Sequence, residues 1–272
     1  MTSLTVMTLA PSRIMTEVAR IRAKPIPWIS AALVMLLSAC ASPPILQTPA
    51  SIPILMYHHV GDWGPARADW APWVVKPADF NAQLDWLVEH GYHTINLAQL
   101  TAHREQGLAL PDKPIVLTFD DGWGEDTAIA QQYLAPRKMH GVFFVFTGAV
   151  GGSPYLAWPE VKALEQQGHE IQSHTVSHPD LRQLTAAQLD HELQSSKQKL
   201  EQELGHTVDA FAYPFGLQDE RVVRAIREAG YHLAVLAEGG NSRMASDPLL
   251  LPRWKMEYGE GVALFAQRIT AH

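Results

Sequence analysis

Pro114-Ile115-Val116-Leu117-Thr118-Phe119-Asp120-Asp121-Gly122 is an apolar run that ends in two adjacent carboxylates and a glycine. A short apolar run of this kind reads as a buried strand. Carboxylates at its exit are costly unless the strand opens into a cleft or a positive group pairs with them. Further along, His174-Thr175-Val176-Ser177-His178 follows a second strand-like segment, His169-Glu170-Ile171-Gln172. One carboxylate and two imidazoles make a three-ligand site for a divalent metal such as zinc, with open positions for water and substrate. The second carboxylate is then free to act as a base on that water.

Strand-like and helix-like segments alternate on both sides of this stretch. Strands are predicted over 52–57, 92–96, 114–119, 142–146, 169–173, 208–213 and 231–236. Helices are predicted over 77–90, 97–106, 125–138, 158–167, 185–204, 218–229 and 259–270. In the first helix Phe80, Leu84, Leu87 and Val88 share a face, with Pro77 and Gly91 as boundary signals. In the long helix Leu189, Leu193, Leu200 and Leu204 are read as inward. Such alternation implies an α/β fold with a mainly parallel sheet, open or closed into a barrel. In α/β barrels the active groups lie at the C-terminal ends of strands. Asp120, Asp121, His174 and His178 all fall there, as do His58 and His59 after the first strand.

The chain ahead of the first strand reads as an export signal. Residues 1–39 hold Arg13, Arg20, Arg22 and Lys24, then an apolar stretch from Ile26 to Leu37, too short for a comfortable membrane span. Leu37-Ser38-Ala39-Cys40 resembles the lipobox of bacterial lipoproteins, which implies cleavage before Cys40 and lipid on that residue. Cys40 is also the only cysteine of the chain, which suits an exported protein without disulfides. Ala41 after it favours the outer membrane, facing the periplasm, by the same resemblance. Residues 40–51 then form the lipidated cysteine and linker, and 52–272 a single domain. Removal of 1–39 takes Lys plus Arg from 21 to 17 and Asp plus Glu from 28 to 27, so the net charge moves from −7 to −10. An acidic exported domain is a poor candidate for nucleic acid, and a neutral or cationic glycan suits it better.

Together these motifs resemble the polysaccharide deacetylase family, also called carbohydrate esterase family 4 or the NodB-homology domain. Thr118 to Gly122 matches its T-F-D-D-G motif, and His174 to His178 matches H-[ST]-x-x-H. The resemblance implies a distorted (β/α) barrel of about seven strands and metal-dependent removal of acetyl groups from an N-acetylated sugar. It makes Asp120 the general base and Asp121, His174 and His178 the metal ligands. Zinc is the expected ion, with cobalt or nickel as alternatives.

Two departures from the family pattern matter. The third motif usually resembles R-P-P-Y-G, whereas this chain has Ala212-Tyr213-Pro214-Phe215-Gly216. The arginine that would steady the base is replaced by Ala212, and Arg253 in Leu251-Pro252-Arg253-Trp254 is the natural substitute. Phe215 would offer its backbone N–H to the oxyanion, with Tyr213 and Trp123 beside the substrate. The usual C-terminal L-x-H motif has no good copy here. Instead Ile54-Leu55-Met56-Tyr57-His58-His59 opens the domain, as in the subgroup that deacetylates poly-β-1,6-N-acetylglucosamine. This resemblance implies His58 as general acid, with His59 as the competing choice. Peptidoglycan or chitin oligomers are the alternative substrates, and a catalytically weak glycan-binding lipoprotein is the alternative class. Trp63, Trp70 and Trp73 follow the first strand; they suit either stacking on sugar faces or packing within their own loop.

Overall fold

In a computed structural model of the chain, residues 51–62 and 70–270 are described. Residues 1–39, Cys40, most of the linker and Trp63 lie outside them. Seven strands form the frame: β1 (Ile54–Tyr57), β2 (Pro114–Asp121), β3 (Val142–Val145), β4 (Glu170–Ser173), β5 (Ala210–Ala212), β6 (Leu233–Val235) and β7 (Trp254–Lys255). Their spatial order is β6-β5-β4-β3-β2-β1-β7, and every neighbouring pair is parallel. A parallel bridge between Val235 and Leu251 links the far edge to the segment that leads into β7. Leu251 N donates to Ala234 O at 3.0 Å and Leu236 N to Leu251 O at 2.8 Å. The sheet therefore curls into a distorted barrel whose edges meet through a single stitch.

The strands are short, yet their side chains sort cleanly by parity. Ile54, Val116, Val142, Phe144, Ala210, Ala212, Leu233 and Val235 join one buried cluster. Leu55, Tyr57, Leu117, Phe119, Phe143, Val145, Ile171, Phe211 and Ala234 join another, shared with the surrounding helices. The first set fills the barrel and the second glues it to its helical coat. Parity carried along β2 from Val116 through Thr118 puts Asp120 inside the barrel mouth.

Several elements differ from the sequence reading. The strand expected over 92–96 is only His93–Thr94, which pairs with Pro114 and Ile115, and the seventh full member of the sheet is Trp254–Lys255. Two residues are too few for a periodic signal, so β7 was not legible. In the helix Pro77–Glu89, Phe80, Leu84 and Leu87 are buried together with Gln83, whereas Val88 is 50% exposed. The apolar stripe is thus narrower than the spacing suggested. The segment 125–138 breaks into Asp126–Ala128, a π-helical turn Ile129–Leu134 and a 3₁₀ turn Ala135–Arg137; Pro136 has no N–H to continue the α ladder. The long helix over 185–204 contains a π-helical turn, His191–Ser195, between Ala186–Asp190 and Ser196–Leu204. Ser51, placed in the linker, forms a short antiparallel pair with Arg243. Among the described residues no helix is long and apolar enough to cross a membrane.

Candidate active site

A cleft of about 360 Å³ opens at the C-terminal ends of the strands. Asp120, Asp121, His58, His59, His174, His178 and Arg253 all line it. So do the sequence-predicted Tyr213, Phe215, Trp123, Trp70 and Trp73.

The two carboxylates at the end of β2 have separate surroundings. Asp120 is 2% exposed and Arg253 1%. Arg253 Nη1 donates to Asp120 Oδ1 at 2.7 Å and Nη2 to Oδ2 at 2.6 Å. The same guanidinium donates from Nη1 to Thr118 Oγ1 at 2.8 Å and from Nε to Leu236 O at 2.6 Å. Thr118 Oγ1 in turn donates to Leu55 O at 2.7 Å. Burial alone would raise the Asp120 carboxyl, but the charge and hydrogen bonds of Arg253 outweigh it and hold the group below its ordinary value. Asp120 is therefore ionised and oriented by a planar fork.

Asp121 leaves the strand with φ 80°, and Gly122 follows at φ 71°. This left-handed step turns the second carboxylate away from Arg253 and toward the histidines. A Cβ on Gly122 would also meet Val145 Cγ1 at 3.1 Å, so the turn sits tightly on β3. Asp121 Oδ1 lies 3.5 Å from His174 Nε2 and 3.6 Å from His178 Nε2. The two ring nitrogens and one carboxylate oxygen fall within 4.8 Å of one another.

The donor set fits a divalent ion. Ligand atoms about 2.0–2.2 Å from a tetrahedral zinc would be roughly 3.3–3.6 Å apart, which is the spacing of Asp121 Oδ1 from each imidazole nitrogen. His174 Nδ1 lies 2.8 Å from Ala212 O. A carbonyl only accepts, so the hydrogen is on Nδ1 and the Nε2 lone pair faces the site. Burial, helped by His174, lowers His178 to about 4, which keeps it neutral as a ligand must be. Burial works to raise Asp121, but His174, with His58 and His178, overcomes it and holds the carboxyl ionised. Asp121 Oδ2 accepts a hydrogen bond from Trp123 Nε1 at 3.2 Å, so the indole steadies a candidate ligand besides bordering the cleft.

His58 follows β1 on the inward parity of Ile54 and Met56. Its ring meets Trp73 edge-on, 4.8 Å between centroids. Burial pulls its pKa below the ordinary value, against the raising influence of Asp120 and Asp121. His59 is held differently: its Nδ1 lies 3.0 Å from Glu125 Oε1, which also accepts from Val60 N at 3.1 Å. Its ring packs against Trp123 at 4.4 Å and Trp70 at 5.5 Å.

The remaining candidates divide. Phe215 has φ 59°, is 53% exposed, and meets His178 edge-on at 4.6 Å. The Tyr213 hydroxyl donates to Leu249 O at 2.9 Å, so that hydroxyl is committed to the fold and not offered to a ligand. Trp70 and Trp73 both line the cleft and pack on other rings, combining the two readings of their loop. Glu125 and Tyr155 were missed. Tyr155 stacks on Trp123 at 4.5 Å and pairs with it through an isolated bridge. Neither carries a motif; Glu125 lies in the turn that follows Gly122, and Tyr155 is brought in by a loop folding back on that turn.

The family model for polysaccharide deacetylases matches residues 107–234, a span that holds Asp120, Asp121, His174 and His178 in this arrangement. This chain carries a polysaccharide deacetylase domain. YxkH of Bacillus subtilis, a protein named for the same family, is 27% identical over 225 residues, covering 83% of this chain and 78% of that one. The solved structure of the Streptococcus pyogenes deacetylase PplD, in complex with acetate, superposes with a TM-score of 0.77 at 27% identity, covering 82% of this chain and all of the other. The deacetylase domain also has shorter matches named for three polymers. The poly-β-1,6-N-acetyl-D-glucosamine N-deacetylase of Escherichia coli is 36% identical over 69 residues, 25% of this chain and 10% of that protein. A chitin deacetylase and a peptidoglycan-N-acetylmuramic acid deacetylase are matched over 24% and 54% of their lengths.

Proposed function

We infer that this polysaccharide deacetylase is metal-dependent and acts on N-acetyl groups of a GlcNAc-containing polymer, with poly-β-1,6-N-acetylglucosamine as the favoured substrate. The observation that carries the reaction is the division of labour at the end of β2. Asp120 is fixed by Arg253, while Asp121 gathers with His174 and His178. A site built only to bind a glycan has no need of a buried, oriented carboxylate beside its ligand cluster.

Asp121, His174 and His178 would hold the ion, zinc by the nature of the donors, with cobalt or nickel as substitutes. When bound, such an ion supplies Lewis acidity toward water and toward an amide carbonyl. Asp120 accepts the proton of the attacking water, and the Arg253 fork keeps it ionised and aimed into the cleft. His58, just past the end of β1, delivers a proton to the departing amine. The backbone N–H of Phe215, a residue whose ring packs beside His178, would donate to the developing oxyanion.

The polymer preference rests on the histidine pair after β1 and on the aromatic lining. Trp70, Trp73, Trp123, Tyr155 and Phe215 border the cleft, and aromatic faces suit the apolar faces of neutral sugar rings. Peptidoglycan and chitin fragments share that chemistry. Amine release from β-1,6-GlcNAc oligomers, chitin oligomers and peptidoglycan fragments, measured in parallel, tests the reading. Preference for either of the last two would overturn the linkage, and no release from any with zinc, cobalt or nickel present would overturn the activity. Export and anchoring through lipid on Cys40, at the outer membrane facing the periplasm, complete the proposal. Cys40→Ser should move the protein from the membrane to the soluble fraction, and unchanged membrane retention would refute lipidation.

A further inference from the structure

The loop that carries His178 is held by a residue outside every motif. Thr175 and His178 both adopt positive φ, 75° and 57°, a region that non-glycine residues enter only when the surroundings over-determine it. Between them the N–H groups of Val176 and Ser177 converge on one oxygen, Glu192 Oε2, at 2.8 and 2.9 Å. The Ser177 hydroxyl donates to the other, Glu192 Oε1, at 2.6 Å. Successive backbone N–H groups arranged this way form an anion-binding concavity. Here the anion belongs to the chain itself.

Glu192 is 8% exposed and sits in the π-helical turn His191–Ser195, an irregularity that often marks functional positions. That turn is tied down in its own right. Ser196 Oγ donates to Glu192 O at 2.7 Å, and Ser173, the last residue of β4 before His174, donates from Oγ to Ser196 Oγ at 3.0 Å. The Tyr231 hydroxyl donates to Leu193 O at 3.1 Å. On the other side of the loop Gly148 N donates to Val176 O at 2.8 Å, and a Cβ at Gly148 would meet that oxygen at 2.6 Å. The loop is thus clamped between β3's exit and the wide turn, and the carboxylate is the part of the clamp that binds its inner amides.

We propose that Glu192 is a positioning residue for the metal site: its carboxylate holds the 175–178 loop in the strained form that brings His178 Nε2 to His174 and Asp121. The proposal rests on the metal reading above. Its purpose is geometric, because without the clamp His178 would be free to relax out of the left-handed region and away from the other two donors.

The test is metal affinity of the full chain in detergent, with Zn²⁺ measured by chelator competition and Co²⁺ by its visible absorption. Glu192→Ala should bind 10–100-fold more weakly, the usual loss on removing a group that orients ligands, with an altered Co²⁺ spectrum. Glu192→Gln, which can still accept from both amides, should recover most of the affinity. Wild-type affinity and spectrum in Glu192→Ala would overturn the proposal. If thermal melting shows that Glu192→Ala does not fold, Glu192→Asp is read instead: it keeps the charge but withdraws it by one methylene, and unchanged affinity there would equally overturn the proposal. Absence of binding by the wild-type chain would overturn the metal reading and this inference together, so the two failures are distinguishable.

Discussion

Arg253 donates through both terminal nitrogens to both oxygens of Asp120, across 133 positions of sequence. The pair is buried, and the guanidinium spends two further donors on Thr118 Oγ1 and Leu236 O. It therefore joins β2 to the end of β6 at the seam where the barrel closes. The residue that orients the base also holds the two edges of the sheet.

Removal of Arg253 should accordingly cost both stability and turnover. Breaking one partner of a buried pair costs about 3–5 kcal/mol, which for a domain of this size lowers Tm by roughly 10 °C or more. Arg253→Ala is expected to show that loss in thermal melting. Arg253→Lys restores a charge without the fork and should regain part of the stability while leaving kcat depressed. Full kcat in Arg253→Lys would show that the bidentate geometry is not needed.

Asp120→Asn separates the two carboxylates. Metal content should be unchanged, because Asp121, His174 and His178 are intact, while kcat falls by about 10²–10⁴-fold, the usual contribution of a positioned base. Metal analysis beside steady-state kinetics reads both. Loss of metal with loss of activity would instead place Asp120 among the ligands.

The adjacent histidines should differ. His58 faces the cleft on the inward parity of β1, whereas His59 Nδ1 is engaged by Glu125. His58→Ala is expected to lower kcat by about 10²–10⁴-fold. His59→Ala should act more weakly, mainly through the packing of Trp123 and Trp70. The reverse order of effects would transfer the acid role to His59.

Asp126 gives a pH dependence of stability. Both its carboxyl oxygens are buried, and among the described residues neither has a hydrogen-bond partner. Burial raises its pKa well above the ordinary value, and Glu125, Asp121 and Asp120 add to that. The native state thus keeps a proton that the unfolded chain releases above about pH 4. The associated stability is present below that pH and is lost as pH rises toward the folded pKa. Asp126→Asn has no such proton to lose. Melting of the metal-free protein should give similar stabilities near pH 4 and a variant more stable by about 1 kcal/mol or more at pH 8. Parallel curves for the two proteins would exclude Asp126 as the source.

Much of the site was legible because its signals are local. Asp120 and Asp121 end an eight-residue strand, long enough for its apolar pattern to show, and His174 and His178 follow another strand by a fixed short spacing. Arg253 was reachable only by asking what replaces the charge absent at Ala212. Glu125, Tyr155 and Glu192 carry no motif. Glu192 reads as an ordinary polar residue of a helix, since a π turn has no sequence signature that separates it from the α turns around it. β7 was hidden for a related reason: two residues cannot display a period.

Sequence alone determined the chemistry at each strand end: which residues are carboxylates and imidazoles, and by parity which of them face inward. That information is local, set by the two-residue repeat of a strand and by short spacings. Tertiary structure decided the partnerships. Barrel closure set Arg253 against Asp120, a left-handed step at Asp121 turned the second carboxylate toward two histidines more than fifty positions away, and a wide helical turn set Glu192 beneath their loop. These depend on where distant backbone segments meet, and no local pattern of residues encodes that distance.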